Sequence, residues 1–290
     1  MANTKRDARP DGTVVIGDSA SMREIPDGSV HLVVTSPPYP MIGMWDGLFS
    51  SFDPEIDEKL SSDDRDSALK AYRLMHKRLL PTFKECARSL VDGGICCVNI
   101  GDAARTFGGR FQVFPNHAEM MMTLESCGLD MMPYILWKKP MNRPNAFLGS
   151  GFLPTNGYVT LDCEFILIAR KGGPRRFEPK DPDRYSSSFT KSDRDRWFSQ
   201  IWSDVRGASQ STADREARTG AFPQEIPRRL IRMFSVIGDT VLDPFMGTGT
   251  TLMESMALGR RFIGYEINES ALSGEVFKIR GKDIAFIRRK

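Results

Sequence analysis

The 290-residue chain is 40% hydrophobic and 27% charged, which is ordinary for a globular protein with a sizeable core. A formal net charge of +3 is too small to require a nucleic-acid partner, and no run approaches the ~20 apolar residues of a membrane span. Five cysteines without a C-x-x-C pair exclude a disulfide framework and leave no metal expected, so the chain is expected in a reducing cytoplasm.

Thr13 to Ile16 is a short apolar run ended by Gly17-Asp18 and reads as a parallel strand. Ser19 to Ile25 is expected to form a brief helix, and Pro26-Asp27-Gly28-Ser29 a turn. Val30 to Val34 reads as a buried strand that runs directly into Thr35-Ser36-Pro37-Pro38-Tyr39. Two prolines bar helix and strand from continuing there, and each pushes its predecessor toward an extended conformation. The product is a stiff bend at a strand end, carrying a hydroxyl, carbonyls and an aromatic ring. Taken alone, the stretch suits a turn with a packing tyrosine as well as a ligand-holding bend.

Residues 40–66 are acidic and serine-rich and are expected as loop, with Met41, Ile42, Met44, Trp45, Leu48, Phe49 and Phe52 scattered through it. Those side chains suit a flap over a site, or a loop packed on its own domain. Leu69, Tyr72, Met75, Leu79, Phe83, Ala87 and Leu90 recur at helical spacing. Pro81 is expected to kink that helix or start a second one, and Asp92-Gly93-Gly94 to stop it. Ile95 to Ile100 is a strand, followed by a glycine- and arginine-rich loop. A helix over 116–127, a strand over 131–137, an irregular loop over 141–160 and a strand over 164–169 complete one wound α/β sheet.

From 171 to 220 the apolar periodicity vanishes, and eleven bases stand among eight acids. Arg175, Arg176, Arg194, Arg196, Trp197, Trp202 and Arg206 interleave guanidinium groups with rings. That mixture suits a nucleic-acid surface, and a solvated mixed-charge insertion is the plainer alternative. Phe222-Pro223-Gln224-Glu225-Ile226-Pro227 then opens an amphipathic helix. Thr240 to Asp243 is a strand, followed by Pro244-Phe245-Met246-Gly247-Thr248-Gly249-Thr250-Thr251, a helix over 252–258 and a strand over 261–266 that ends in Glu266. The tail is basic.

Strand, acid, Gly-x-Gly turn, helix, strand, acid is the layout of a nucleoside-cofactor crevice. Glu266 can accept hydrogen bonds from both hydroxyls of a ribose. Leu252 stands where a dinucleotide fingerprint has its third glycine, and no lysine follows the glycines as in a phosphate loop. A nucleoside cofactor without a pyrophosphate is the better fit, and S-adenosylmethionine is the obvious one.

Here the chain resembles a known family. Thr35 to Tyr39 looks like the catalytic motif of the amino-methyltransferases that modify exocyclic amines of DNA bases. Asp243 to Thr250 looks like their cofactor motif, and Phe222 to Pro227 sits where they keep an extra cofactor-binding helix. The catalytic motif comes first, as in the circularly permuted beta group. The resemblance spans about Thr13 to Ile267. It implies a Rossmann-like α/β methyltransferase fold with a catalytic part over 11–170, a variable target-recognition region over 171–220, a cofactor part over 221–270 and a basic tail over 271–290.

Under that resemblance Asp18, Phe222, Pro223, Asp243, Pro244, Phe245, Gly247, Thr248, Gly249, Thr250 and Glu266 hold S-adenosylmethionine. Ser36, Pro37, Pro38 and Tyr39 form the catalytic bend. Arg175, Arg176, Arg194, Arg196, Trp197, Trp202 and Arg206 contact double-stranded DNA. The target base is flipped out of the helix, Tyr39 stacks on it, and the Ser36 hydroxyl and Pro37 carbonyl accept hydrogen bonds from its amine. Positioning then carries most of the barrier reduction. Ser36 points to cytosine N4, since adenine-N6 members typically carry Asp or Asn there. Adenine N6 is the first alternative, with an RNA or protein-amide methyltransferase behind it. A catalytically dead DNA-binding module and a nicotinamide enzyme fit the motifs less well. The resemblance leaves room for a homodimer and for a restriction endonuclease acting on the same site. Tyr39→Ala is expected to abolish methyl transfer while leaving cofactor binding nearly intact; a variant that still labels its substrate from radiolabelled cofactor would remove Tyr39 from the site.

Overall fold

The structure, a computed structural model, describes residues 10–139, 154–155, 157–206, 222–272 and 283–289. Most of the 141–160 loop, residues 207–221 and much of the basic tail lie outside the described residues. In chain order the elements are β1 (Gly12–Ile16), β2 (Val30–Thr35), a 3-10 turn (Gly43–Trp45), α1 (Asp46–Phe52), α2 (Pro54–Ser61), α3 (Arg65–Ser89), β3 (Leu90–Ile100), β4 (Ala103–Phe107) and β5 (Arg110–Phe114). They continue with α4 (Asn116–Ser126), β6 (Asp130–Lys138), β7 (Cys163–Arg170), α5 (Pro182–Ser186), α6 (Lys191–Trp197), β8 (Ile201–Trp202), α7 (Glu225–Phe234), β9 (Thr240–Asp243), α8 (Thr250–Ala257), β10 (Arg261–Glu266) and β11 (Ile284–Arg288).

Nine of these strands form one sheet in the order β11-β1-β10-β9-β2-β3-β7-β6-β8. β7 runs against its neighbours β3 and β6, and every other pairing is parallel. Both faces are covered, as a mostly parallel sheet requires. In β2, Val33 packs on the face shared with α3 and α4, whereas Leu32 and Val34 pack on the face shared with α7 and α8.

Several expected elements take a different form. Ser19 to Ile25 is a turn rather than a helix, because α3 side chains satisfy its backbone. Glu85 accepts from the Met22 N–H at 2.6 Å, and Arg88 donates to the Ile25 and Met22 carbonyls at 2.9 and 3.0 Å. The acidic stretch after the bend is largely helical. Asp53 caps α2 by accepting from the Glu55 N–H, Pro54 occupies the first turn, and Met41, Phe49 and Ile56 are buried. Helix α3 continues through Pro81 as one element. β3 starts at Leu90, before the glycines expected to separate helix and strand, and its register against β2 shifts between Val30 and Leu32. The glycine- and arginine-rich loop is the hairpin β4–β5. The basic tail supplies an edge strand: β11 pairs with β1, and Arg289 is ion-paired with Glu24.

The segment after β7 also differs from the expected surface. Trp197 and Trp202 are buried in the core, 5% and 1% exposed, so neither ring is open to a nucleic-acid base. Trp202 donates from Nε1 to the Trp197 carbonyl at 2.9 Å and lies under the guanidinium of Arg229. Arg229, itself buried, donates to Asp204 at 3.0 and 2.9 Å and to Glu225 at 2.8 Å, which fastens the segment to α7. Trp202→Ala should therefore cost about 3–5 kcal/mol of stability. Arg176→Ala, at an exposed position, should stay within about 0.5 kcal/mol. Denaturant midpoints of the two variants compare them directly, and equal midpoints would contradict the assignment of Trp202 to the core.

Candidate active site

Parallel strands deliver their C-terminal ends to one edge of a sheet, and this is where α/β proteins bind ligands. Asp18 follows β1, Ser36 follows β2, Asp243 ends β9 and Glu266 ends β10. Because β7 is reversed, its first residues, including Glu164, reach the same edge. A cavity of about 460 Å³ opens there. Of the residues expected at the site, Asp18, Ser36, Pro38, Phe222, Asp243, Pro244, Phe245, Gly247, Thr248, Thr250 and Glu266 line it. Met44, Trp45, Leu48, Phe49 and Phe52 form another wall, so the stretch after the bend covers the site and packs on its own domain at once.

Asp243 ties the loop after β9 to the end of β2. Its Oδ1 accepts from Thr35 Oγ1 at 2.7 Å and from the Phe245 N–H at 3.1 Å, and its Oδ2 accepts from Thr251 Oγ1 at 2.6 Å. Burial nevertheless pushes its carboxyl up to about 6, with the charge of Glu266 adding to the effect. Glu266 spans from β10 to the loop after β9. Its Oε2 accepts from the Gly247 N–H at 2.9 Å and its Oε1 from the Asn268 N–H at 2.8 Å, while burial raises its pKa. Gly247 and Gly249 have φ of 49° and 87°, a left-handed backbone that a side chain would strain. Gly249 lies immediately before α8 and Pro223 next to the start of α7; neither lines the cavity.

The cavity has a carboxylate braced by backbone N–H groups, a left-handed glycine turn, and apolar walls from Phe222, Phe245 and Trp45. Its volume is in the range of small-molecule sites, and this donor and acceptor set fits a nucleoside cofactor. Asp18 lines it, but its carboxylate is ion-paired with Arg78 and accepts from the Ala20 N–H. Arg78, in turn, lies over the Phe52 ring at 4.0 Å.

Beside the cavity the Ser36 to Tyr39 bend enters a polar cluster. Ser36 Oγ donates to Tyr39 Oη at 3.0 Å, and Tyr39 Oη donates to Glu164 Oε2 at 3.1 Å. Asn99 Nδ2 donates to Tyr39 Oη at 2.7 Å and to Glu164 Oε2 at 2.6 Å, and Lys139 is ion-paired with Glu164. Burial and the adjacent Glu164 charge hold the Tyr39 phenol well above its ordinary pKa, so it stays protonated. Pro37 is buried behind the bend. Asn99, Glu164, Lys139 and Arg78 carry no motif in the sequence. The one available signal was that Asn99 and Glu164 stand at the ends of expected strands, without the strand direction that brings them together. Cys96 and Cys97 are buried, and burial raises both thiols.

The expected DNA contacts do not share one surface. Arg175 donates to Asp239 at 2.5 and 3.0 Å, and Arg175 and Arg176 line an open cleft with His31, Asp239 and Arg261 at the opposite edge of the sheet. The cause is the reversed β7, which carries the chain away from the catalytic edge before this segment begins. Arg194 pairs with Asp195, and Arg196 with Asp204. The chain then climbs back, since Ile201 and Trp202 pair with Leu136 and Trp137, and Trp137 Nε1 donates to the Val205 carbonyl at 3.0 Å. Arg206 is exposed at that end.

A Rossmann-like sheet with an acid-and-glycine cofactor crevice beside a Ser-Pro-Pro-Tyr bend defines a methyltransferase of the amino-methylating class. Residues 30–276 match the family model described as DNA methylase, and the chain belongs to that family of N6 and N4 methyltransferases. It is 57% identical over 265 residues to the type II methyltransferase M.MjaI of Methanocaldococcus jannaschii, covering 89% of this chain and 87% of that one. It is 43% identical over 291 residues to the type II methyltransferase M.MthZI of Methanothermobacter thermautotrophicus, covering 94% and 81%. Among solved structures it resembles the Thermus thermophilus protein TTHA0409, complexed with S-adenosyl-L-methionine, at 32% identity and a TM-score of 0.73 over 96% of this chain and 99% of that one. The cytosine-N4-specific PvuII DNA methyltransferase shares the fold, with a TM-score of 0.61 over 93% of this chain and 89% of that one, at 17% identity.

The Asp243 carboxyl, ordinarily near 3.8, is raised to about 6 in the folded chain. Between these values the folded chain holds a proton that the unfolded chain has released, so this group's contribution to stability falls as pH rises through the window. The fall is on the order of 2–3 kcal/mol. Asp243→Asn should remove that slope between about pH 4 and pH 6. Denaturant titrations across this window would show parallel curves for variant and parent if Asp243 did not carry it.

Proposed function

We propose that this protein transfers a methyl group from S-adenosylmethionine to the exocyclic N4 of a cytosine flipped out of double-stranded DNA. The observation that carries the reading is Ser36, a neutral hydroxyl on the wall of the cofactor cavity, held by a hydrogen bond it donates to Tyr39. Its oxygen keeps its lone pairs for the amine of an incoming base. Glu266, the Gly247 turn and the walls from Phe222 and Phe245 would hold the cofactor in the cavity that Ser36 also lines. Its sulfonium supplies the methyl electrophile, while the chain orients the amine and keeps water away. The wall from Trp45 to Phe52 excludes solvent on the cofactor side. DNA approaches the catalytic edge, where Arg206 is exposed after β8 and Arg196 is ion-paired with the nearby Asp204. A restriction endonuclease acting on the same site is the proposed partner, a reading that similarity to type II methyltransferases supports.

Adenine N6 is the second reading, because its amine presents the same donor to the same hydroxyl. Duplex DNA treated with the protein and cofactor, then digested to nucleosides and resolved by mass, should contain N4-methylcytosine. N6-methyladenine in its place would overturn the cytosine assignment, and methylation of RNA or protein alone would overturn the DNA one.

A further inference from the structure

The hydrogen bonds around Tyr39 have a direction, and one residue sets it. Glu164, ion-paired with Lys139, can only accept. Asn99 therefore turns its amide nitrogen toward Glu164 Oε2 at 2.6 Å and Tyr39 Oη at 2.7 Å. The flipped amide would set two acceptors against each other, and the orientation found leaves Asn99 Oδ1 buried without a partner. Tyr39 has one proton, and the carboxylate takes it at 3.1 Å. The Ser36 proton then points at Tyr39 at 3.0 Å. Ser36, Tyr39 and Glu164 thus form a wire of three oxygens, each proton aimed one step further from the cavity. Gly101 leaves room for it, since a Cβ there would lie 3.2 Å from both Tyr39 Cε2 and Glu164 Cγ.

We propose that Glu164 is the terminal proton acceptor of methyl transfer, reached from the target amine through Ser36 and Tyr39. This rests on the reading of the site as a base-amine methyltransferase. The amine lone pair forms the new N–C bond as the S–C bond breaks and its electron pair stays on sulfur. The methylated nitrogen, now cationic, gives an N–H proton to Ser36 Oγ. Ser36 passes its own proton to Tyr39, and Tyr39 passes its own to Glu164, which becomes a neutral carboxylic acid. The positive charge of the methyl donor and the negative charge of Glu164 are both discharged. Lys139, whose side chain is 43% exposed, connects the nearly buried Glu164 to solvent, where the proton leaves before the next turnover. Among the described residues, the titratable and charged groups around Glu164 include Lys139 beyond β6, Tyr39 beyond β2, and the Asp102–His117 pair after β3, whose imidazole stacks on Phe165.

The test is the single-turnover rate of methyl transfer in preformed enzyme–DNA complexes across pH, for the parent, Tyr39→Phe, Glu164→Gln and the double variant. Tyr39→Phe keeps the ring and removes only the wire's middle oxygen, so it probes the relay without touching the Glu164–Lys139 ion pair. Each single variant should slow transfer about 100-fold. The double variant should be no slower than either, because both cut one path. The parent's rate should fall toward acid, and this limb should be absent from both variants. Cofactor and DNA affinities should be unchanged. A Tyr39→Phe rate equal to the parent's, losses that multiply in the double variant, or an acid limb that survives in Glu164→Gln would each overturn the proposal. Digesting the same product reads the methylated base separately. Adenine as the target would refute the cytosine assignment while leaving the relay measurable, since its amine releases the same proton.

Discussion

One buried carboxylate, Asp243, ties the molecule together. It accepts from Thr35, 208 residues earlier in the chain, and from Thr251 in the helix that follows its own strand. The Ser36 to Tyr39 bend follows Thr35 and the glycine turn follows Asp243, so this contact ties the two loops to each other. Two hydroxyls and a backbone N–H replace the water that a carboxylate would otherwise have, which keeps it tolerable inside the core. A permuted chain needs such a link, because its two functional halves meet in space without being adjacent in sequence.

Around that link the site divides the labour between a rigid crevice and a polar cluster. Glu266 braces the glycine turn through the Gly247 N–H, and α1 and the preceding turn close the cavity from the side. The polar cluster comes from four separate strand ends: Tyr39 after β2, Asn99 in β3, Lys139 after β6 and Glu164 in β7. Strand ends hold side chains more firmly than a long loop does, and positioning chemistry depends on that firmness.

The same sheet explains why the two tryptophans of the basic and aromatic segment lie in the core and why its first arginines face the far edge. β7 runs against its neighbours and hands the chain to the far edge, where Arg175 meets Asp239. Arg229 and the two tryptophans then bind the segment to α7. Charge and aromatic content are legible in a sequence, whereas the side of the sheet that receives them is a property of strand direction.

Local chemistry determined much of this protein. Apolar runs bounded by glycine and proline marked the strands, Thr35 to Tyr39 could only be a stiff bend, and the spacing of Asp243, Gly247 and Glu266 put them at one strand edge, where they line one cavity. These readings held because each depends on residues within a few positions of one another. Only the tertiary structure decided the partners of Tyr39, the burial of Trp197 and Trp202, the β11 strand in the basic tail, and the turn at Ser19 to Ile25 whose backbone is satisfied by Glu85 and Arg88. Each of those outcomes depends on contacts between residues far apart in the chain, and no local pattern encodes which strand will run in reverse.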